Sequence, residues 1–285
     1  MVTLSNNPGD NTTTQLAGYN LVGNPFTVNA YIGDRDFYVM NNGTEIILAD
    51  RVAEGAAEYI EPMEGIFVIA TEETEQLTFT TTAPESKGAS LALNVSKNRG
   101  VVDRAMVRFS ESRTLPKFQL RNNSTKVYIP QDNIDYAVVS AEAMGELPVS
   151  FRANENGSYT LSFTSEEVSF SYLHLIDNMT GNDVDLLQTP SYTFDALTTD
   201  YESRFKLVFA TGNAADDSFA FYSNGNWIIN NDGQATLQVI DVTGRILSSE
   251  TVNGSVSTTI NAAPGVYMLR LVNGDNVKVQ KVVVR

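Results

Sequence analysis

The sequence lacks cysteine altogether, and it has a single histidine and a single tryptophan in 285 residues. Without cysteine, disulfides, thiolate nucleophiles and cysteine-based zinc sites are excluded. A histidine-dependent catalytic triad would have to use His174, and no G-x-S-x-G, H-E-x-x-H or P-loop pattern accompanies it. We therefore interpret His174, on the predicted strand "YLHLI", as a packing or surface residue. We expect a protein that is not an enzyme.

Basic residues and long apolar runs are scarce too. The chain has 19 Lys and Arg against 34 Asp and Glu, which gives a net charge of -15 and a pI near 4.4. This charge repels phosphate backbones, so we expect no nucleic-acid partner. No stretch approaches the ~20 apolar residues of a membrane span, so no transmembrane segment is expected. The polar N-terminus has no apolar signal-peptide core. Either the protein stays inside the cell, or a signal peptide has been removed.

Short runs of β-branched and aromatic residues are what the chain has in abundance. Stretches such as "LTFTTTA", "AMVRFSE", "TKVYIP" and "YAVVSAE" tend to alternate with period two and are bounded by Gly, Asn, Pro or Asp. The best helical candidate, "RVAEGAAEYI" at residues 51–60, is weakened by Gly55. These patterns predict an all-β fold, with a jelly-roll or immunoglobulin-like β-sandwich body followed by a small C-terminal β-sandwich.

Turn residues give more local predictions. Asn156-Gly157 is a strong hairpin signal because both central positions of a type I′ turn need positive φ. Gly274 marks a second predicted hairpin, and Asn253-Gly254 a third. Pro264-Gly265 suits a type II turn, after which Tyr267, Leu269 and Leu271 should share one strand face.

Two polar stretches suggest domain boundaries, "TTAPESKGAS" at residues 81–90 and "ATGNAADDS" at residues 210–218. We predict a β-rich N-terminal unit at 15–82, a β-sandwich at 88–210 and a C-terminal β-sandwich at 218–285. The first boundary is soft, since the first two units could share one core. A similarity between two stretches of the chain, here called the internal echo, supports the second boundary. Both "YLHLIDNMTGNDVDLL" and "ATLQVIDVTGRILSS" have the pattern of a strand, Ile-Asp, a turn with Thr-Gly, and a second strand. A true repeat and a coincidence of turn rules both remain open.

Paired carboxylates offer the one candidate for a metal. Asp34 with Asp36, and Asp183 with Asp185, lie two apart in predicted loops and could bind Ca²⁺. Neither stretch matches an EF-hand loop, and solvated turn residues are the alternative interpretation. Otherwise no cofactor is expected. The lone Trp227 rules out a multi-tryptophan sugar platform, although the chain's twelve tyrosines could serve instead.

The stretches "LQVIDVTGRIL", "INAAPGVYMLRLVNG" and "VKVQKVVVR" together resemble the type A C-terminal sorting domain of the type IX secretion system of Bacteroidetes. The resemblance implies a small β-sandwich that the secretion machinery binds as a folded surface. One departure is that no proline lies between Pro190 and Pro264, where a linker proline often precedes such domains. The sorting motif then falls on Gly244, Arg245, Gly265, Tyr267, Lys278 and Lys281.

Upstream stretches such as "GYNLVGNPF" and "IEPMEGIFVIATEETEQLTFT" resemble segments that recur before sorting domains in large surface proteins. The resemblance implies a secreted or cell-surface protein, exposed outside the outer membrane after a signal peptide is removed. We expect a structural or adhesive role, with host or cell-surface glycans or proteins as partners. The alternative is a carbohydrate-binding accessory module of a larger secreted enzyme, and a stand-alone hydrolase is the third class.

Overall fold

The computed structural model describes residues 1–7, 16–41, 45–50, 58–84, 88–109, 114–120, 123–212, 218–223, 225–259 and 262–284. In these ranges the regular secondary structure consists of β-strands, which confirms the predicted all-β fold. The helical candidate at 51–60 lies mostly outside the described residues, and its last residue, Ile60, forms a β-bridge with Ala30. None of the described segments is a helix long and apolar enough to cross a membrane.

The chain divides into two compact units, each assembled from separate stretches. The first comprises Met1–Ser140, Pro148–Glu167 and Pro190–Arg204, and the second comprises Ala141–Leu147, Val168–Thr189 and Phe205–Arg285. The three consecutive units predicted from composition stay a prediction. Part of their second boundary, residues 213–217, falls outside the described residues.

The strands of the first unit, numbered in chain order, are β1 (Val2–Ser5), β2 (Tyr19–Gly23), β3 (Tyr38–Asn41), β4 (Glu45–Leu48), β5 (Gly65–Ile69), β6 (Thr74–Leu77), β7 (Ser90–Lys97), β8 (Gly100–Arg108), β9 (Leu115–Pro116), β10 (Lys126–Gln131), β11 (Ile134–Ser140), β13 (Gly157–Glu166) and β16 (Ser191–Ala196). Strand β12 (Met144–Arg152) belongs to this unit from Pro148 onward. β1 pairs with β6, and a four-stranded sheet has the order β2-β5-β3-β4. A larger sheet runs β12-β10-β11-β8-β7-β13-β16, with β9 beside β11.

Two apolar clusters stand out among the buried side chains that the structure describes in the first unit. One is formed within residues 4–79 by side chains such as Leu4, Ile60 and Ile66. The second joins Tyr38 and Leu48 to residues beyond position 90, including Ala92, Met106 and Phe118. Neighbouring residues of a strand point to opposite faces. Strands β3 and β4 therefore contribute to both clusters, with Val39 and Ile47 in the first and Tyr38 and Leu48 in the second.

The strands of the second unit are β14 (Phe170–Asp177), β15 (Asn182–Asp185), β17 (Phe205–Thr211), β18 (Ala220–Ser223), β19 (Asn226–Ile229), β20 (Gln234–Asp241), β21 (Ile246–Asn253), β22 (Val256–Thr258), β23 (Gly265–Asn273) and β24 (Asn276–Val284). β14 lies between β15 and β17. β19 lies between β18 and β22 in a three-stranded sheet, and a four-stranded sheet has the order β21-β20-β23-β24.

Only one of the three predicted hairpins forms. β23 and β24 pair antiparallel around Gly274, which has a φ of 56°. At Asn156-Gly157 the prediction is wrong: only Gly157 has a positive φ, and β13 pairs with β7 and β16 instead of with β12. The Asn156 side chain instead accepts a hydrogen bond from the Thr198 amide.

The hairpin predicted at Asn253-Gly254 is also wrong. Gly254 does take a positive φ of 70°, but β21 pairs with β20 while β22 pairs with β19. The Gly254 amide donates to the carbonyl of Gly233 at 2.8 Å. The turn therefore carries the chain from one sheet to another, and local turn geometry did not decide which strands pair.

Candidate functional site

The residues from β18 to β24 form a β-sandwich with a core of their own. One layer is the three-stranded sheet β18-β19-β22, and the other is the four-stranded sheet. Fully buried Trp227 belongs to the apolar cluster between them, with Leu237, Leu269 and Val282. The Trp227 ring makes edge-to-face contacts with Tyr222 and with Tyr267, at centroid distances of 4.9 and 5.8 Å. Such pairs add to the stabilisation from buried area alone.

Tyr267 is a core residue of this sandwich. It shares the buried face of β23 with Leu269 and Leu271, as predicted. Its hydroxyl donates to the carbonyl of Ala263 at 2.7 Å, which fixes the segment that leads into β23. The predicted type II turn is wrong, since Gly265 lacks the positive φ that its second central position requires and instead begins β23.

The β20–β21 turn is organised by the carboxylate of Asp241. Asp241 Oδ1 accepts hydrogen bonds from the Thr243 hydroxyl and amide and from the Arg245 amide, and Oδ2 accepts one from Arg245 Nε at 3.1 Å. Gly244 takes a φ of 84°, and its amide donates to the Asp241 carbonyl. The Thr243 hydroxyl, with the Arg245 and Thr243 donors, lowers the pKa of Asp241 to about 2. The Arg245 side chain is exposed to solvent and forms an ion pair with Asp241.

The Gln280 side chain ties the edge strand β24 to the other layer. Its carbonyl oxygen accepts hydrogen bonds from the amides of Phe219 and Ala220, both at 2.7 Å. Its amide nitrogen donates to the carbonyl of Ala220 at 2.7 Å and to the Ser218 hydroxyl at 3.3 Å. The backbone around the start of β18 is thus hydrogen-bonded by one side chain. The alternation in β24 could have revealed this residue, because Gln280 has the parity of buried Val282 and Val284.

The two motif lysines lie on opposite faces of β24. Lys278 has the parity of the buried residues, whereas exposed Lys281 shares the outer face with Val277 and Val279. Both valines are largely exposed. The predicted alternation of faces along β24 is present, and Val277 and Val279 lie on its solvent-exposed face.

The structure brings four motif residues to one end of the four-stranded sheet. Asp241, just before the turn of Gly244 and Arg245, lies opposite Tyr267 in the sheet register. Gly265 is two residues before Tyr267 on the same strand. Lys281 lies opposite Met268 near this end, and Lys278 lies opposite Leu271 further along. The function of these residues in sorting stays a prediction.

The three-stranded sheet has apolar contacts on both of its faces. Trp227 and Ile229 point into the sandwich core, while Ile228 between them packs with Tyr172, Val208 and the neighbouring Ala210. Tyr172 lies on β14, and the other two lie on β17. Burial raises the pKa of Tyr172 to about 12, with the Asp183 charge adding to the effect and the Ser257 hydroxyl opposing it.

His174 packs on the same strand as Tyr172, and their rings are stacked at 4.1 Å. Its Nδ1 lies 2.7 Å from Asp183 Oδ1. Asp185 accepts hydrogen bonds from the Leu187 amide and the Gln188 side chain. Among the residues that the structure describes, no group of three or more His, Asp or Glu side chains is placed to hold a metal ion. Binding of Ca²⁺ stays a prediction.

Asp34 and Asp36, the other proposed calcium pair, lie in the first unit. Asp36 Oδ1 forms an ion pair with buried Arg108 at 2.5 Å, and Arg108 also lies 3.6 Å from Glu58. The Arg108 guanidinium thus makes a charge-assisted contact with one oxygen of the Asp36 carboxylate. Binding of Ca²⁺ at this pair stays a prediction.

The first unit also contains a cleft of about 290 Å³. Its apolar lining includes Met40, Ile46 and Leu120, and its polar lining includes Glu45 and Asn123. Burial, with the nearby charge of a second carboxylate, raises the pKa of Glu45. Clefts of mixed lining are where small ligands bind, and this one lies at the lower end of their size range.

A buried ion pair contributes to the wall of this cleft. Lys117 Nζ donates to Asp103 Oδ1 at 2.7 Å and to the Arg104 carbonyl at 2.8 Å, while Asp103 Oδ2 accepts from the Val127 amide. Burial raises the pKa of Asp103 and lowers that of Lys117. Both groups form hydrogen bonds within the protein, so we interpret the pair as part of the structural core of the first unit.

Comparison with known proteins assigns the C-terminal sandwich. Residues 223–285 match the family model of the secretion system C-terminal sorting domain. No curated protein and no solved structure matches the chain significantly. The upstream resemblance to segments of large surface proteins therefore stays a prediction. The match covers β19 to β24 of this sandwich with the last residue of β18, and it includes the motif residues. The protein carries a C-terminal sorting domain of the type IX secretion system, which implies a Bacteroidetes origin and secretion to the cell surface or the extracellular space.

Proposed function

We propose that the protein is a non-enzymatic surface protein with a structural or adhesive role, delivered by its sorting domain. The observation that carries the proposal is the sorting domain itself, joined to a body made of β-sheets. Export to the cell exterior suits a body that makes contacts there, and β-sheets present broad, rigid surfaces. The high negative charge keeps such a protein soluble at the surface.

Adhesion is tested by comparing cells that display the full chain with cells that lack it. Attachment to host cells, to sister cells and to immobilised matrix proteins is measured, together with glycosidase, esterase and peptidase activities of the purified chain. We expect lower attachment in cells without the protein, and blank enzyme screens. An activity that survives purification and disappears in His174→Ala would overturn the proposal.

A carbohydrate-binding module is the second candidate, and the cleft beside Glu45 and Leu120 is the observation that favours it. Saturable binding on a glycan array, abolished by Asn123→Ala and by Leu120→Ala, would support this alternative. Thr164→Ala, on the exposed part of β13, is the matched control. No binding, or binding that the cleft variants leave unchanged, would reject it.

A further inference from the structure

The side of the four-stranded sheet that faces away from the sandwich core forms a continuous surface, called here the outer sheet face. Its centre consists of three cross-strand pairs of β23 and β24. These pairs are Val266 with Val283, Met268 with Lys281 and Arg270 with Val279. The sandwich core lies on the other side of the same strands, through Leu269 and Val282.

The part of the outer sheet face formed by β23 and β24 is unusually apolar for a surface in contact with water, whereas β20 and β21 place polar residues such as Gln238, Ser249 and Thr251 on it. Val277, Val279 and Val283 are exposed to 45, 53 and 54%, and Met268 to 36%. Antiparallel sheets with one open side normally place polar residues there. A contiguous apolar patch on a soluble protein commonly marks an interaction surface.

The charges on this face have one sign. Arg270 and Lys281 are its charged residues among the strand positions that the structure describes, and no carboxylate shares the face with them. Arg270 is held in place by a hydrogen bond to Gln238 at 3.0 Å. The whole chain has nearly twice as many acidic as basic residues. A purely cationic face in such a chain is complementary to an acidic partner.

The edge of the same sheet offers backbone hydrogen bonds. Among the described strands, β24 pairs with β23 alone, and it spans Asn276–Val284. An edge strand of this length can accept another strand, as in β-augmentation. Gln280 contacts β18 from the inner side and holds β24 in place for such pairing.

We propose that the outer sheet face and the β24 edge form the docking surface of the sorting domain, and that its occupant is an acidic, strand-forming segment of a protein of the secretion machinery. This inference rests on the proposed delivery through the sorting domain. A second copy of the chain fits less well, because Arg270 and Lys281 would face the same cations. An anionic membrane fits less well, because the net charge of -15 repels it and lipid cannot pair with both N–H and C=O groups of a strand edge.

Site-specific photo-crosslinking in a type IX host tests the surface and its partner. The full chain, fused to a host signal peptide, carries a photoreactive residue at position 279, or at position 164 as the control. We expect position 279 to cross-link to a protein of the secretion machinery, through a peptide with more Asp and Glu than Lys and Arg. Position 164 should not give this product. Cross-links to lipid or to a second copy, a neutral or basic peptide, or the absence of a product specific to position 279 would overturn the proposal.

A charge reversal makes the test quantitative. Lys281→Glu should lower the yield of the cross-link from position 279 roughly ten-fold, because it replaces an attraction by a repulsion. Arg99→Glu, in the exposed β7–β8 turn, changes the net charge equally and should leave the yield unchanged. Equal yields in both variants would contradict the proposed charge complementarity. Thermal melts of the two variants show whether each is folded.

Failure of this inference is distinguishable from failure of the proposed function. If deletion of residues 218–285 blocks surface display but position 279 gives no specific product, sorting stands and the docking surface is elsewhere. If the deleted chain is displayed normally, the proposed delivery itself is wrong.

Discussion

Single residues in the sorting domain act mainly by fixing the backbone of its turns and strand ends. Gly244 and the carboxylate of Asp241 shape the β20–β21 turn, while the Tyr267 hydroxyl holds the segment before β23. The sequence pointed to Gly244 and Tyr267 through motif resemblance. It also contained the signal for Asp241, since an aspartate that opens a short turn commonly accepts hydrogen bonds from the amides that follow.

Two motif glycines should respond differently to alanine. Gly244 has a φ of 84° and open space around an added Cβ, so Gly244→Ala strains the backbone alone and should lower the free energy of unfolding by about 1–2 kcal/mol. Gly265 lacks a positive φ, and an added Cβ would meet Tyr267 and Ala263 at an ordinary 3.7 Å. Gly265→Ala should therefore stay within about 0.5 kcal/mol of the wild type. Denaturant unfolding of both variants checks the difference, and equal losses would contradict it.

The Asp241 turn should depend on pH in a defined direction. The pKa of Asp241 is lowered in the folded state from 3.8 to about 2, so its ionised form stabilises the turn. That contribution is fully present above about pH 4 and is lost as the pH falls through about 2. Nuclear magnetic resonance titration of the Thr243 and Arg245 amides should show the transition. In Asp241→Asn it should be absent, and a midpoint near 4 in the wild type would contradict the account.

The sequence predicted the positions and buried faces of individual strands better than it predicted which strands pair with each other. Alternation gave the buried face of β23 and the two faces of β24, but two of three Asn-Gly signals did not close hairpins. An Asn-Gly turn can form its local backbone conformation whichever strands lie next to it. Which strands pair with each other is then decided by how the flanking strands bury their apolar faces. The run Trp227-Ile228-Ile229 did contain the missing information. A continuous apolar run is typical of a strand buried on both faces.

The echo between the two "Ile-Asp…Thr-Gly" stretches extends to strand connectivity. β14 lies between β15 and β17, as β20 lies between β21 and β23. β13 pairs with β16, as β19 pairs with β22. Gly181 and Gly244 both have positive φ, and each donates its amide to the carbonyl of the aspartate that ends the preceding strand. The same order of pairings over five consecutive strands favours a repeated unit over a coincidence of turn rules.

The Gln280 side chain should contribute more to the stability of the sandwich than a residue on an edge strand usually does. Gln280→Leu removes the partners of the Phe219 and Ala220 amides and should destabilise the second unit by about 1–3 kcal/mol. Gln234→Leu, at the exposed start of β20, makes the same change without such partners among its described contacts. Hydrogen exchange at Phe219 and Ala220 should accelerate in Gln280→Leu only. Unchanged protection there would show that Gln280 does not hold β18 and β24 together.

At the scale of the whole molecule, the sorting domain has its own core but also packs on β14 and β17. A chain that ends at Thr211 would lose the packing of Ile228 on Tyr172 and Val208, and burial of one such side chain is worth about 1.5–3 kcal/mol. We expect the first unit to stay folded and β14 and β17 to lose protection. Hydrogen exchange with resolution by peptide checks this. Global unfolding, or full protection of β17, would contradict the packing described here.

Delivery of the full chain is the most direct test of the central claim. In a host with a type IX system, the chain with a host signal peptide is compared with the same chain ending at Thr211, and the fraction at the surface is measured by protease accessibility of intact cells. The account predicts that the full chain reaches the surface or the medium, while the shortened chain is retained in the periplasm with its first unit folded. Equal surface exposure of both chains would contradict it.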